Sequence, residues 1–260
     1  MMAEATVLHA YGVVPAASTA ALPPAGIDGA PVETVTVDGL AALVSTLDAA
    51  RYGEAAWREH AEDPDWLAGF AIQHEQVLAA VVATGDVLPF RLPGIYADRA
   101  SLAHLLQIEQ EPLLDGLRAV RGQVEWGVKV FWDAEAEGAD PAPAAASGRD
   151  YLRQRSEQLG ARERSAEERQ RRVVSAYERV AAAATDSITS PPQDPALSRR
   201  REPMLLNSAH LVPREREEAF FEVLRAVDQE LGPAGLVVEV TGPWPPCGFV
   251  GGRHREEAAP

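Results

Sequence analysis

One thiol and six imidazoles are the groups through which this chain could attack a substrate or move a proton. Cys247 and His210 are both placed by predicted strands of the C-terminal half, and a thiol with an imidazole base is the best nucleophilic constellation available, one that would suit a hydrolase or transferase. Such a thiol needs a lowered pKa and a positioned base, and nothing in the sequence brings the two side chains together. His74 falls on the apolar stripe of a predicted helix, where the expectation is a core imidazole bonded to backbone. Lys129, the only lysine, stands between Glu125 and Asp133 and reads as an ion pair worth about 0 to 1 kcal/mol. The phosphate loop, the dinucleotide glycine fingerprint, the HExxH motif and the Gly-x-Ser-x-Gly elbow are absent from the sequence. The expectation is therefore a protein that is not an enzyme and has no cofactor or metal.

Length and charge set further bounds. The chain has 260 residues, 46% of them hydrophobic, enough for one large domain or two ordinary ones. No run of 18 apolar residues exists to span a membrane, and the acidic start has no positive region leading an apolar one, so a soluble, cytoplasmic protein is expected. A single cysteine fits a reducing compartment. A net charge of −15 argues against general nucleic-acid binding, because a phosphate backbone would be repelled.

The elements that would position these residues read in order. Thr6 to Val14 is a strand; Val32 to Val37 and Leu40 to Thr46 form a hairpin around Asp38-Gly39. Asp63-Pro64 starts a helix whose Leu67, Phe70, His74, Val77, Leu78 and Val81 share a face. Val87 to Leu92, interrupted by Pro89, is an edge strand, and Asp98 caps a helix kinked at Pro112. Gln123 to Trp132 alternates as a half-buried strand, with Glu125, Lys129 and Asp133 on its outer face.

Ala134 to Ser147 and Asp186 to Pro203 read as mobile loops on either side of a long helix, residues 150–184. The second half of that helix carries a packed stripe, whereas its first half is polar all round. It is a solvated arm, or a basic surface whose Arg153, Arg162, Arg164 and Arg171 meet an acidic partner. Met204 to Val212 is a strand, Pro213 opens a helix lined by Phe220, Leu224, Val227 and Leu231, and Leu236 to Thr241 is the last strand.

From Gln123 onward the order strand, long helix, strand, helix, strand is ferredoxin-like, with one strand lacking or borrowed. The expected fold is α+β in two domains, each with helices on one side of a mostly antiparallel sheet. Residues 1–121 form an N-terminal α+β domain, residues 122–252 a C-terminal ferredoxin-like domain, and 253–260 a disordered tail.

The last strand runs into VVEVTGPWPPCGFV, Val237 to Val250. Pro243, Pro245 and Pro246 lack backbone donors, so the strand is expected to end there and leave the sheet as a stiff arm carrying Trp244. Trp244 is either a plug closing the C-terminal domain or an exposed anchor for a partner. The plug is the expectation, since the arm continues a core strand.

This stretch resembles the C-terminal signature of the gas vesicle protein F/L family (GvpL/GvpF), which reads GPWPPY, a small residue and Phe-Val; Cys247 stands at the Tyr position. VLHAYGVV, the His74-Glu75 helix running into VLPFRLPGIYAD, EWGVKVFWD, YLRQR and LLNSAHLVP match the family in the same order. The resemblance implies an accessory protein of gas vesicle assembly that contacts the hydrophobic shell subunit and other accessory proteins, as a chaperone-like adaptor or a minor shell component. It would reside in the gas vesicle or the cytoplasm. It also supports a modified ferredoxin-like C-terminal half, and it argues against catalysis by a cysteine that the family pattern does not supply.

Overall fold

The computed structural model describes residues 5–18, 20–133, 148–193 and 200–250; the side chains at 148–154 and at 162 lie outside that description. Contacts divide the chain into two units, one of residues up to Glu125 together with those from Pro243 onward, the other Trp126–Gly242. This division differs from the expected single C-terminal domain of residues 122–252. Residues 243–250 pack with the N-terminal half instead.

The first unit is built on the strands β1 (Thr6–Pro15), β2 (Glu33–Val37), β3 (Leu40–Asp48), β4 (Leu88–Pro89) and β5 (Ile95–Tyr96), ordered β2-β3-β1-β4, with β5 also on β1. The hairpin turn between β2 and β3 has Asp38 at φ 43° and Gly39 at φ 88°, the left-handed pair that matches strand twist in a two-residue loop. β1 is the central strand. Its pairing with β3 slips between Ala10 and Gly12, a bulge at Tyr11 that re-aims the side chains around it.

The short helices α1 (Ala49–Tyr52) and α2 (Glu54–His60) follow, then α3 (Pro64–Val82), whose N-cap Asp63 accepts from the amides of Asp65 and Trp66. α4 (Arg99–Ile108) is capped by Asp98 on the Ser101 amide, and α5 (Gln110–Val120) restarts after a break at Glu109. Pro112 thus lies in the first turn of a new helix, where its missing N–H costs nothing, and not at a kink.

Helices cover both faces of this sheet, a difference from the one-sided packing expected. Leu8 and Ala10 share a core with Leu102, Leu106, Leu117 and Val120 of α4 and α5. His9, between them on the opposite face, stacks edge-on against Phe70 and His74 of α3. Burial on both faces explains why β1 reads as a nearly continuous apolar run.

The second unit contains β6 (Gln123–Trp132) from Trp126, α6 (Gly148–Ala182), β7 (Asp186–Thr189), β8 (Met204–Pro213), α7 (Glu217–Leu231) and β9 (Leu236–Trp244) as far as Gly242. Its sheet runs β7-β8-β6-β9, which is the complete ferredoxin-like order. The Trp132 amide donates to the Pro203 carbonyl at 3.0 Å and the Asp133 amide to that of Gly235 at 2.8 Å, so the end of β6 meets the start of both neighbours and both pairings are antiparallel.

The strand thought to be lacking is β7, inside the segment read as a loop. Only Ile188 in its four residues is a large apolar side chain, and on an edge it needs no more. Val173, Ala176 and Val180 of α6 and Phe220, Leu224, Val227 and Leu231 of α7 pack with Val128, Val130, Val212 and Leu236 as this unit's core. Residues 134–147, the whole of the first expected loop, and 194–199, a part of the second, lie outside the described residues, as does the tail.

Candidate functional site

The proline block behaves differently from its reading. β9 continues through Pro243 to Trp244 instead of stopping, because β9 is an edge strand and an edge position tolerates a residue with no donor. Beyond it Pro245 and Pro246 are buried, while Trp244 is 38% exposed, so Trp244 is not a plug in the core of the C-terminal domain. The chain then tightens into a short 3-10 turn, Cys247–Phe249, in which the Cys247 amide donates to the Pro245 carbonyl at 2.6 Å.

Three groups of the first unit hold this arm. The Gly248 amide donates to Glu125 Oε2 at 2.7 Å, Arg91 Nη2 reaches the Val250 carbonyl at 3.5 Å, and the Val250 side chain packs against the core beneath α4 and α5. Burial raises the Glu125 carboxyl to about 7; the Gly248 hydrogen bond opposes that rise and the charge of Glu75 on α3 adds to it. Burial raises the Glu75 carboxyl as well. Stretches far apart in sequence, the His74-Glu75 helix, the segment after β4, the start of β6 and the proline block, therefore meet at one place.

Glu125 lies on the face of β6 read as the outer one, where it is half-buried and receives the Gly248 amide of the returning arm.

The proposed nucleophile is not activated. Cys247 is exposed as a residue, yet desolvation of its thiol, with the carboxylates of Glu75 and Glu125 adding, pushes it far above the usual thiol range. His210 is fully buried, with Nδ1 on Ser187 Oγ at 2.8 Å and Nε2 on Ser208 Oγ at 3.0 Å, so both ring nitrogens already have hydroxyl partners. Burial lowers it to about 4. Among the described residues no three His, Cys, Asp or Glu side chains gather as a metal site.

His74 is a core residue, as expected, although its partner is not backbone. Its Nδ1 lies 2.9 Å from His9 Nε2. Beside this pair the Tyr11 hydroxyl donates to Ser45 Oγ and accepts from the Ile27 amide. Lys129 bonds Gln193 Oε1 at 3.2 Å. Of the helix arginines, Arg164 is exposed and Arg171 is bound to Glu168, while the side chains of Arg153 and Arg162 lie outside the described residues.

The family model for gas vesicle synthesis protein GvpL/GvpF matches residues 7–251, nearly the whole chain and every stretch that meets at the arm. The chain belongs to the GvpL/GvpF family. Among curated GvpL/GvpF relatives it is 35% identical to gas vesicle protein L of Streptomyces sp. (strain CB03234), over 87% of this chain and 85% of that one. It is 33% identical to gas vesicle protein F of the same strain, over 68% and 75%. The crystal structure of GvpF from Anabaena sp. PCC7120 superposes with a TM-score of 0.66 at 21% identity, covering 94% of this chain and 96% of that one, and that of GvpF from Microcystis aeruginosa with 0.63 at 22%, covering 94% and 98%. The GvpL/GvpF fold is thus shared, two sheets with their helices included.

Proposed function

We propose that this chain is a non-enzymatic accessory protein of gas vesicle assembly, a chaperone-like adaptor that holds the hydrophobic shell subunit and other accessory proteins through the arm at Trp244. The observation that carries the reading is an aromatic side chain 38% exposed on an arm whose next two residues, Pro245 and Pro246, are buried. A large side chain held by a stiff backbone loses little conformational freedom on binding, and tryptophan is among the residues that most often dominate an interface.

A transient adaptor fits the rest of the surface better than a built-in shell component does. Among the described residues the other exposed large apolar side chains are Leu22, Ile72, Leu92 and Ile108 in this unit and Leu159, Val174 and Val237 in the other, on separate loops, helices and a strand, in a chain of net charge −15. A permanent component would need a more continuous apolar face.

Immobilised shell subunit is expected to capture the full chain. In cells making vesicles the chain should fractionate with the cytosol and wash away from purified vesicles. Failure of capture would remove the partner, and retention in thoroughly washed vesicles would replace the adaptor by a minor shell component.

A further inference from the structure

We propose that the outer half of α6 is a second docking surface, independent of the arm at Trp244, and that its occupant is an acidic amphipathic helix of another protein, laid along a face that carries Arg155, Leu159, Ala166 and Arg169.

Helical spacing defines this face. In the inner half of α6, Val173, Ala176 and Val180 turn one stripe into the core of their unit. Outward from Val173, in steps of four and three, the same stripe runs through Arg169, Ala166, position 162, Leu159 and Arg155, and the residue at 162 is again an arginine. Arginine thus recurs every seven residues with an apolar residue between, and no acid falls on the stripe. The acids of this half, Glu157, Glu163, Glu167 and Glu168, lie around the rest of the helix, and Glu168 holds both Arg171 and Arg172. Charge there is met within the helix. On the stripe it is not: among the described residues no ion pair involves Arg155, and Leu159 is 48% exposed. Where the stripe enters its own unit it finds a surface, since the Arg169 guanidinium lies 3.9 Å from the centre of the Trp132 ring. A helix that was merely solvated would mix both signs around its axis.

The chemistry of the face selects its occupant. From Arg155 to Arg169 it is about 21 Å long, roughly four turns. A partner helix with leucine at the matching positions and glutamate beside them would bury Leu159 and pair Arg155 at the repeat of a two-helix contact. Salt screens the remaining acids of this chain beyond about 8 Å, so the local positive charge governs approach. A second copy docked through the same face would set arginine against arginine, which is destabilising. A nucleic-acid backbone would meet the arginines and leave Leu159 and Ala166 without apolar contact.

Fluorescence anisotropy of a labelled synthetic acidic helix, titrated with the full chain, tests this. The probe has about three heptads, with leucine at the two seam positions and glutamate flanking them. The parent should bind it. Arg155→Glu should weaken binding on the order of tenfold and Leu159→Ala about threefold, whereas Arg164→Glu, the same charge change on the opposite face, should stay within about twofold. All three side chains are exposed or project from the outer half, so the variants should melt like the parent. A scrambled peptide of the same composition should bind on the order of tenfold more weakly. No binding of the probe by the parent, equal weakening by Arg155→Glu and Arg164→Glu, displacement of the probe by single-stranded RNA, or a parent dimer that Arg155→Glu dissociates in sedimentation would each overturn the proposal. Trp244→Ala should bind the probe like the parent, so failure of shell-subunit capture and failure of this contact are separate results.

Discussion

His9 and His74 are two imidazoles that share one hydrogen bond in an apolar layer, and His9 Nδ1 is buried with no partner. The arrangement that avoids burying an unpaired N–H has His9 Nε2 donating to His74 Nδ1 and leaves His9 Nδ1 unprotonated. Burial, and for His9 the charge of His74, lowers the pair to about 3 and about 4. A base whose folded pKa is depressed contributes full stability above its unfolded value of 6.5 and loses it as pH falls through the window down to the folded value. The first unit should therefore lose roughly 2 to 3 kcal/mol for each imidazole by about pH 4.5. Thermal melts from pH 7 to 4.5 should show the fall, and a His9→Phe, His74→Leu double variant should flatten it. His74→Leu alone strands the buried His9 donor and should cost about 1 to 3 kcal/mol.

The thiol carries the opposite expectation. Cys247 occupies the Tyr position of the family signature, and its ionisation is suppressed. Cys247→Ser should leave the melting temperature and vesicle formation unchanged. Loss of vesicles by a folded, normally abundant Cys247→Ser protein would restore the nucleophile. How the sequence spoke about these residues differed by kind. His74 was legible as a core residue because helical spacing places it on a stripe, but its partner His9 lies 65 residues away on another element, a distance no local pattern carries. Glu125 was misread for the same reason: alternation tells which face of β6 a side chain is on, not what returns to cover that face.

At the scale of elements, turn chemistry was the most readable signal and edge strands the least. Asp38-Gly39 sets its hairpin by backbone conformation, with Gln110 Nε2 and the Ala16 amide donating to its two carbonyls; a Cβ on Gly39 would meet nothing within 4 Å, and only its φ of 88° resists a side chain. Gly39→Ala should accordingly cost about 1 to 2 kcal/mol, measured by denaturant unfolding. Gly94 differs in mechanism. A Cβ there would sit 2.4 Å from the backbone oxygen of Ala10, where the Gly94 carbonyl accepts from the Ala10 amide, so Gly94→Ala must push β5 off β1. That variant should lose more than Gly39→Ala does. β7 escaped notice because a four-residue edge strand needs little apolar content, and Pro243 was misread because a proline stops a central strand but not the outer side of an edge one.

At the scale of the whole molecule, the sequence order of elements disclosed the ferredoxin-like half, because each of its helices joins strands of one sheet. It did not disclose that residues 243–250 belong to the other unit. Truncation after Gly242 should therefore loosen the N-terminal unit, in which Val250 completes a core and Gly248 covers Glu125, rather than the unit of Trp126–Gly242 to which β9 belongs. Hydrogen exchange by mass spectrometry should find lost protection in α3 and around β4, with α7 and β8 unchanged; the reverse pattern would return the arm to the C-terminal domain.

The central claim is that the arm is held by the first unit so that Trp244 meets a partner, and Trp244→Ala tests it most directly. A tryptophan buried in a core costs roughly 3 to 5 kcal/mol when cut to alanine, whereas a partly exposed one at an interface costs little stability and much affinity. With 38% of Trp244 exposed, the variant should melt within a few degrees of the parent, and its capture by immobilised shell subunit should fall at least tenfold. A variant that melts many degrees lower, or one that melts like the parent and is captured equally well, would contradict it.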